Sequence, residues 1–459
     1  MVKKLLFLVS LFFNGVVYAQ SADELFIKRL SDEIMTHSSA YDNLRVLTKT
    51  IGARLAGSPQ MTAAEDWGFN LLKKSGSDST FKQPCWVPHW VRGGQDIATA
   101  LLSGNKKRSL EIVALGNTVG TGLKGLTAPI LLIHSFDELE AKKEEAKGKI
   151  VFYNYKFNPR FIETFNAYGD AVKYRGSKGI TTAAKYGAVA TIVRSMSHST
   201  DNFPHTGATS YDDAYPKRPA VAIGLRDADW LAEALIKNPK MNLYLKTNGH
   251  FLPDAKGYNI IGELKGTTFP DEYIVAGGHL DSWDICEGAH DDGAGIVQTI
   301  EILRAFKALG YQPIRTLRFV LYANEENGAR GALKYAESAA ENKEKHIFAI
   351  ESDAGGFTPR GFHFDVSKEQ FQKLKQWQPL LVPYGADRFL NNGGSGVDIS
   401  FLKSKNPGIA LAGLAPDSQR YFDIHHARND VFESVNKREL DLGALNMAAL
   451  IYLVDTYGL

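Results

Sequence analysis

Cysteine is almost absent from this chain: Cys85 and Cys286 are the only two in 459 residues. That scarcity excludes a disulfide framework and a structural zinc site built from four cysteines. Their distance along the chain excludes a finger-type site with two cysteines and two histidines. Both are expected as free thiols. Charge of one sign is lacking too. Lys and Arg number 53 against 51 Asp and Glu, a formal net charge of +2, and the two signs are mixed along the sequence. Neither nucleic acid nor an anionic membrane surface is implied as a partner. Beyond the N-terminal segment no apolar run reaches the roughly 18 residues that a spanning helix needs, so no membrane anchor is expected.

What is present is an ordinary globular composition, 44% hydrophobic and 23% charged. The chain is longer than one compact core usually supports, so two domains, or one with a large insertion, are expected. Residues 1–19 stand apart. Lys3 and Lys4 precede the apolar run Leu5 to Phe13, and Val17-Tyr18-Ala19 offers small residues where a signal peptidase reads. A cleaved secretory signal and a secreted or periplasmic protein are expected. No cysteine follows that point, which argues against a lipoprotein-type anchor.

Three stretches follow. Residues 21–75 read as helical, with Leu44, Leu47, Ile51 and Leu55 at helical spacing and a break at Gly57-Ser58-Pro59. Short β-type runs occupy 97–118. Residues 127–250 read as a second unit with buried strands near Pro129–Ile133, Gly148–Tyr153 and Ala188–Val193. Its polar stretch from Ser195 to Lys217 reads as a long surface loop, and without clustered ligands the unit suggests a structural or lid role. From 257 the pattern becomes strand, loop, amphipathic helix. Ile296, Ile300, Leu303 and Phe306 form an apolar stripe after Gly293-Ala294-Gly295, and Thr316 to Tyr322 is a strongly apolar strand. Such alternation predicts an α/β fold with a mostly parallel sheet flanked by helices, whose ligands bind beyond the carboxyl ends of the strands.

Acidic and imidazole side chains collect at those ends. They lie in Gly278-His279-Leu280-Asp281, His290-Asp291-Asp292-Gly293, Asn324-Glu325-Glu326, Glu351-Ser352-Asp353 and His425-His426. Burying charges is costly without partners, and gathered carboxylates and imidazoles are most simply stabilised by divalent metal. Asp281 shares a strand face with His279 and can orient its ring. Asp291 is suited to hold one ion on each oxygen, while Asp292 reads as an N-cap or a support. One of Glu325 and Glu326 can ligate while the other faces substrate as general base. Only one of His425 and His426 need be a ligand. The pattern points to a hydrolase with two metal ions.

With these motifs the chain resembles the co-catalytic di-zinc exopeptidases of metallopeptidase clan MH. Pro88-His89-Trp90-Val91-Arg92-Gly93, Ser135-Phe136-Asp137-Glu138-Leu139 and Pro204-His205-Thr206-Gly207 extend the match over nearly all of the mature chain. The resemblance implies a protease-associated domain at 127–250, inserted between 20–126 and 251–459 of a zinc peptidase domain. It implies two Zn2+ per chain, one held by His279, Asp291 and Asp353 and the other by Asp291, Glu326 and His426. Glu325 matches the general base and Asp281 the residue that orients His279. His426 is selected over His425 because it stands four residues before Asp430. Gly394 and Ser395 fall in a loop that resembles a substrate-side loop of the family, and His425, next to the ligand, is expected either to touch the reacting substrate or only to pack in its loop. Some relatives have an acidic residue where Ser395 stands, so side-chain preference is not carried over.

The substrates implied are dipeptides or short peptides with free termini, cleaved by a dipeptidase or carboxypeptidase type of enzyme; a homodimer is compatible. An aminopeptidase acting on longer peptides is the nearest alternative. A non-catalytic binding homologue would be expected to lack Glu325 or a ligand, and a glutaminyl cyclase on this fold would need only one zinc.

Overall fold

The computed structural model describes residues 21–459, so the secretory signal expected at 1–19 lies outside the described residues. Two sheets of eight strands each organise them. The first runs in the order Ser79–Val91, His250–Leu264, Arg315–Tyr322, Phe269–His279, Lys345–Glu351, Ala410–Pro416, Pro359–Asp365, Arg388–Asn391. Its centre, from Arg315–Tyr322 to Ala410–Pro416, is parallel, and antiparallel pairings lie on both flanks. The sheet is therefore mixed around the parallel core that the sequence predicts.

The apolar runs explain the layering. In Arg315–Tyr322, Leu317, Phe319 and Leu321 enter one hydrophobic core while Val320 and Tyr322 enter the other. Both faces are covered, as a strand in the interior of a sheet packed on two sides requires. Each large apolar side chain so buried contributes about 1.5–3 kcal/mol. On one side lies the helix Ala294–Ala308, whose Ile296, Ile300 and Phe306 are buried as their spacing predicts. The C-terminal helix Lys437–Tyr457 packs against it. Near the N-terminus the Leu44–Leu55 periodicity overruns the helix, which ends at Ile51 where Gly52 takes a φ of 82°. After the break at Gly57, Ser58 caps the helix Pro59–Lys74 by accepting the Met61 N–H.

The second sheet runs in the order Lys107–Leu110, Ile97–Leu101, Asn242–Lys246, Leu126–Ile133, Ile150–Tyr153, Ala190–Arg194, Ala220–Ile223, Ile112–Ala114. It recruits the short strands near residue 100, upstream of the boundary expected at 127. Ile97–Leu101 pairs with Asn242–Lys246, and so distant a partner leaves no local signal. The stretch after Arg194 departs from its expectation as a surface loop: Pro204, His205, Thr206 and Gly207 are buried. A polar segment can be buried when its backbone finds partners. Here the Thr206 N–H donates to the His426 carbonyl at 2.9 Å. No helix among the described residues is long and apolar enough to cross a membrane. Cys85 and Cys286 are both buried and free.

Candidate metal centre

The central strands of the first sheet deliver the predicted residues to one edge. His279 ends Phe269–His279, Glu325 and Glu326 follow Arg315–Tyr322, and Asp353 follows Lys345–Glu351. His425 and His426 come after Ala410–Pro416 and the short helix Tyr421–Ile424. Asp291 sits in the loop that enters Ala294–Ala308.

Asp291 stands between two groups. His279 Nε2 lies 3.2 Å from Asp291 Oδ1 and 3.5 Å from Asp353 Oδ1. His426 Nε2 lies 3.2 Å from Asp291 Oδ2 and 3.1 Å from Glu326 Oε2. One carboxylate thus turns an oxygen to each side. His279 Nε2 and Asp291 Oδ2 are buried with no hydrogen-bond partner. An unmatched buried polar group costs about 1–3 kcal/mol. Divalent ions on either side of Asp291 would engage both atoms, and imidazole with carboxylate is a donor set that zinc accepts.

Neighbouring groups hold these side chains in place. His279 Nδ1 lies 3.0 Å from the Asp281 carbonyl and 3.7 Å from its carboxylate. The ring is therefore oriented by Asp281 backbone, rather than by the carboxylate as the strand spacing suggests. A proton on Nδ1 leaves the Nε2 lone pair facing Asp291 and Asp353. The Asp281 carboxylate instead accepts the N–H groups of Glu325 at 3.0 Å and Glu326 at 3.3 Å, which fixes that turn. Asp430 accepts the N–H groups of His290 at 2.8 Å and Asp291 at 3.1 Å. Proximity alone would also group His279 with Asp292 and Asp353. Asp292, however, already accepts N–H from His279 and from Gly295, each at 3.0 Å, whereas Asp291 has an oxygen to spare. We therefore favour Asp291.

The two adjacent histidines are stacked, with ring centroids 3.6 Å apart. His425 Nε2 lies 3.6 Å from Asp291 Oδ2 and reaches no second carboxylate, while His426 reaches two. His426 adopts a φ of 58°, which turns its ring toward Glu326. The second unit contributes here. Arg175 donates to the Thr206 carbonyl at 2.9 Å and lies 3.4 Å from His426 Nδ1. Through these contacts the unit, which supplies no clustered ligands, reaches the loop that carries His426. Arg175, the Asp430 clamp and Arg54, which donates to the carbonyls of Leu280, Glu287 and Gly288, escaped the sequence reading. Each acts on backbone distant in sequence, which leaves no local signal.

Electrostatics follow from burial. Burial pushes the Glu325 carboxyl well above its ordinary range, and Asp353 and Glu326 add to the effect against His279. Burial and Asp291 push Glu326 up to about 7. Burial opposes charge on His426, yet Glu326 and Asp291 prevail and raise it to about 10. Burial and the neighbouring His426 hold His425 well below its usual value, so that ring is neutral.

Next to Asp353 the loop Gly394-Ser395-Gly396 is held by Glu351, which accepts the Val397 N–H at 3.1 Å and the Ile399 N–H at 2.9 Å. Those bonds cap the helix Val397–Lys405 and set the wall of a cavity of about 530 Å3 that reaches Asp353. Gly394 and Ser395 line that cavity, whereas His425 lies outside its lining, on the Asp291 side.

The sequence profile of peptidase family M28 matches residues 259–451. Human carboxypeptidase Q is 34% identical over 415 residues, covering 90% of this chain and 85% of that protein. Carboxypeptidase Q of Xenopus laevis is 36% identical over 419 residues, covering 91% and 85%. The crystal structure of a peptidase M28 precursor from Shewanella amazonensis superposes with a TM-score of 0.88 at 33% identity, covering 94% of this chain and 96% of that one. The zinc aminopeptidase of Bacillus subtilis shares the fold, at a TM-score of 0.66 and 19% identity over 90% and 94% of the two chains. Sequence, architecture and the gathered imidazoles and carboxylates agree, and the chain belongs to peptidase family M28 as a zinc metallopeptidase of the exopeptidase type.

Proposed function

We propose that this protein is a secreted exopeptidase that uses two zinc ions to hydrolyse dipeptides or short peptides with free termini. The observation that carries the reading is Asp291, one oxygen toward His279 and Asp353 and the other toward His426 and Glu326. His279, Asp291 and Asp353 would hold one ion, and Asp291, Glu326 and His426 the other. Bound there, the metal supplies Lewis-acid chemistry, lowering the pKa of water and polarising the scissile carbonyl.

The remaining work falls to the chain's own residues. Glu325 is not a member of either ligand set, which leaves its carboxylate free to take a proton from water as general base. The same oxygen then gives that proton to the leaving amine. Asp281 keeps Glu325 and Glu326 in their separate roles by holding both backbone N–H groups. His425, beside Asp291, would donate a hydrogen bond to the oxyanion of the tetrahedral intermediate. The second sheet corresponds to the inserted protease-associated domain, and through Thr206 and Arg175 it supports the His426 loop.

The test combines metal content with substrate ends. Zinc analysis of purified protein should give close to two ions per chain, and unblocked dipeptides should be cleaved while N-acetylated or C-amidated counterparts are poor. Efficient cutting inside a long, doubly blocked peptide would overturn the exopeptidase reading.

A further inference from the structure

The cavity beside Asp353 has a chemistry of its own. Pro359–Asp365 runs antiparallel to Ala410–Pro416, with Pro359 opposite Pro416, and Arg388–Asn391 runs parallel to Pro359–Asp365. Both outer strands therefore begin at the edge where the parallel strands end. Gly361 pairs with Arg388, so Arg360 and Arg388 enter the sheet side by side, and both line the cavity. Two guanidinium groups thus share one cavity with a residue of the metal centre.

Each arginine is only loosely engaged. Arg388 Nη2 donates to Glu163 Oε1 at 2.8 Å, and Arg360 Nη2 donates to Asp417 Oδ2 at 3.0 Å. Arg388, Arg360 and Glu163 are about half exposed, and exposed pairs of this kind stabilise a fold by little. A guanidinium carries five donors in a planar fork matched to a carboxylate. One donor of each is committed to an acid. Glu163 comes from the second unit, just ahead of the helix Thr164–Ala171, and it too lines the cavity. A carboxylate from across the cavity already rests on Arg388, which shows the ligand chemistry this position accepts.

We propose that the cavity is the subsite for a carboxylate-bearing residue of the substrate, read by Arg388 and Arg360, with Glu163 holding Arg388 until substrate displaces it. The proposal rests on the exopeptidase reading above and adds the feature of substrate that is recognised. The carboxylate has two sources: the α-carboxylate of the C-terminal residue, or an acidic side chain. The cavity's volume holds a whole residue, so both fit.

Binding to the zinc-loaded full-length Glu325→Gln protein, which turns over slowly, tests this without relying on catalysis. Calorimetry would compare Ala-Ala with Ala-Ala-amide, and Ala-Glu with Ala-Gln, in that background alone and with Arg388→Gln, Arg360→Gln or both. Loss of charge-assisted hydrogen bonds should weaken the carboxylate-bearing member of a pair about ten- to a hundredfold, and leave its neutral counterpart little changed. An effect confined to the first pair assigns the α-carboxylate, and one confined to the second assigns the side chain. Glu163→Gln should tighten binding by releasing Arg388. Discrimination unchanged within both pairs in the double arginine variant, or equal weakening of the two members in both pairs, overturns the subsite. Hydrolysis of the same dipeptides by the unsubstituted enzyme judges the exopeptidase reading separately. The arginine and Glu163 variants lie on half-exposed side chains, and unchanged zinc content and circular dichroism confirm that they fold.

Discussion

Each of the two sheets ends a set of parallel strands at a carboxyl edge, yet their polar groups are treated in opposite ways. At the edge of the second sheet Asn154, Arg194 and Ser195 follow or close their strands. Arg194 donates to Asn154 Oδ1 at 3.1 Å and to Asp229 at 2.7 Å, and the Ser195 hydroxyl donates to the Ile223 carbonyl at 2.8 Å. At the edge of the first sheet, His279 Nε2 and Asp291 Oδ2 are buried and unmatched. The strand-end groups of the second edge are satisfied by one another, although His205, whose backbone N–H donates to Ser195, keeps both ring nitrogens unmatched beside them. The other is complete only with something the protein must bind. The difference separates a structural polar network from a functional one more sharply than residue type does, since both edges hold charged side chains.

The comparison can be broken most forcefully at Glu325. Glu325→Gln keeps the shape of the turn but cannot accept a proton, so kcat should fall by about 10²–10⁴-fold with zinc content intact. If zinc were lost and kcat largely kept, base and ligand would be reversed, and Glu326→Gln would show the catalytic phenotype instead.

Next in size is the contrast between the paired histidines. His426→Ala should lower zinc stoichiometry, because His426 alone faces both Asp291 and Glu326. His425→Ala should leave zinc in place and reduce kcat. Metal analysis of the two purified variants decides between them, and zinc loss from the His425 variant alone would exchange the assignments.

The satisfied edge predicts a smaller and different effect. Arg194→Met removes bonds that only hold the second sheet together, so stability in urea should fall by about 1–3 kcal/mol while kcat on dipeptides is kept. A large loss of kcat without loss of stability would mean that this edge, too, is functional.

The smallest effect concerns a buried acid away from both edges. Burial raises the Glu65 carboxyl to about 7, against the single N–H that it accepts from Tyr258 at 2.9 Å. A raised carboxyl binds its proton more tightly folded than unfolded. Its contribution is therefore fully favourable below the ordinary value of 4.5 and is lost as pH climbs toward about 7. Glu65→Gln should flatten the decline in stability across that window, as urea unfolding at several pH values would show. An unchanged slope would place the titration elsewhere.

The kind of chemistry, and the edge at which it gathers, were legible along the unfolded chain. Apolar runs that can only be buried strands, ending in imidazoles and carboxylates, required a parallel core with a charged edge, and charges at such an edge required metal. His279, Glu325, Glu326 and Asp353 were legible because each directly follows a run whose period is unambiguous. Tertiary structure decided what local pattern does not encode. It fixed the loop that carries Asp291, whose bridging role over Asp292 the sequence had already suggested, by spending Asp292 on two backbone N–H groups and Asp430 on the loop itself. It turned His426 toward Glu326 by placing Thr206 of the second unit on its carbonyl. It also joined the strands near residue 100 to a partner far along the chain, and set Arg360 beside Arg388. The physical reason is the same in each case. Burial follows from a residue's own hydrophobicity and period, whereas the direction of a side chain in a loop follows from hydrogen bonds to backbone that only folding brings near.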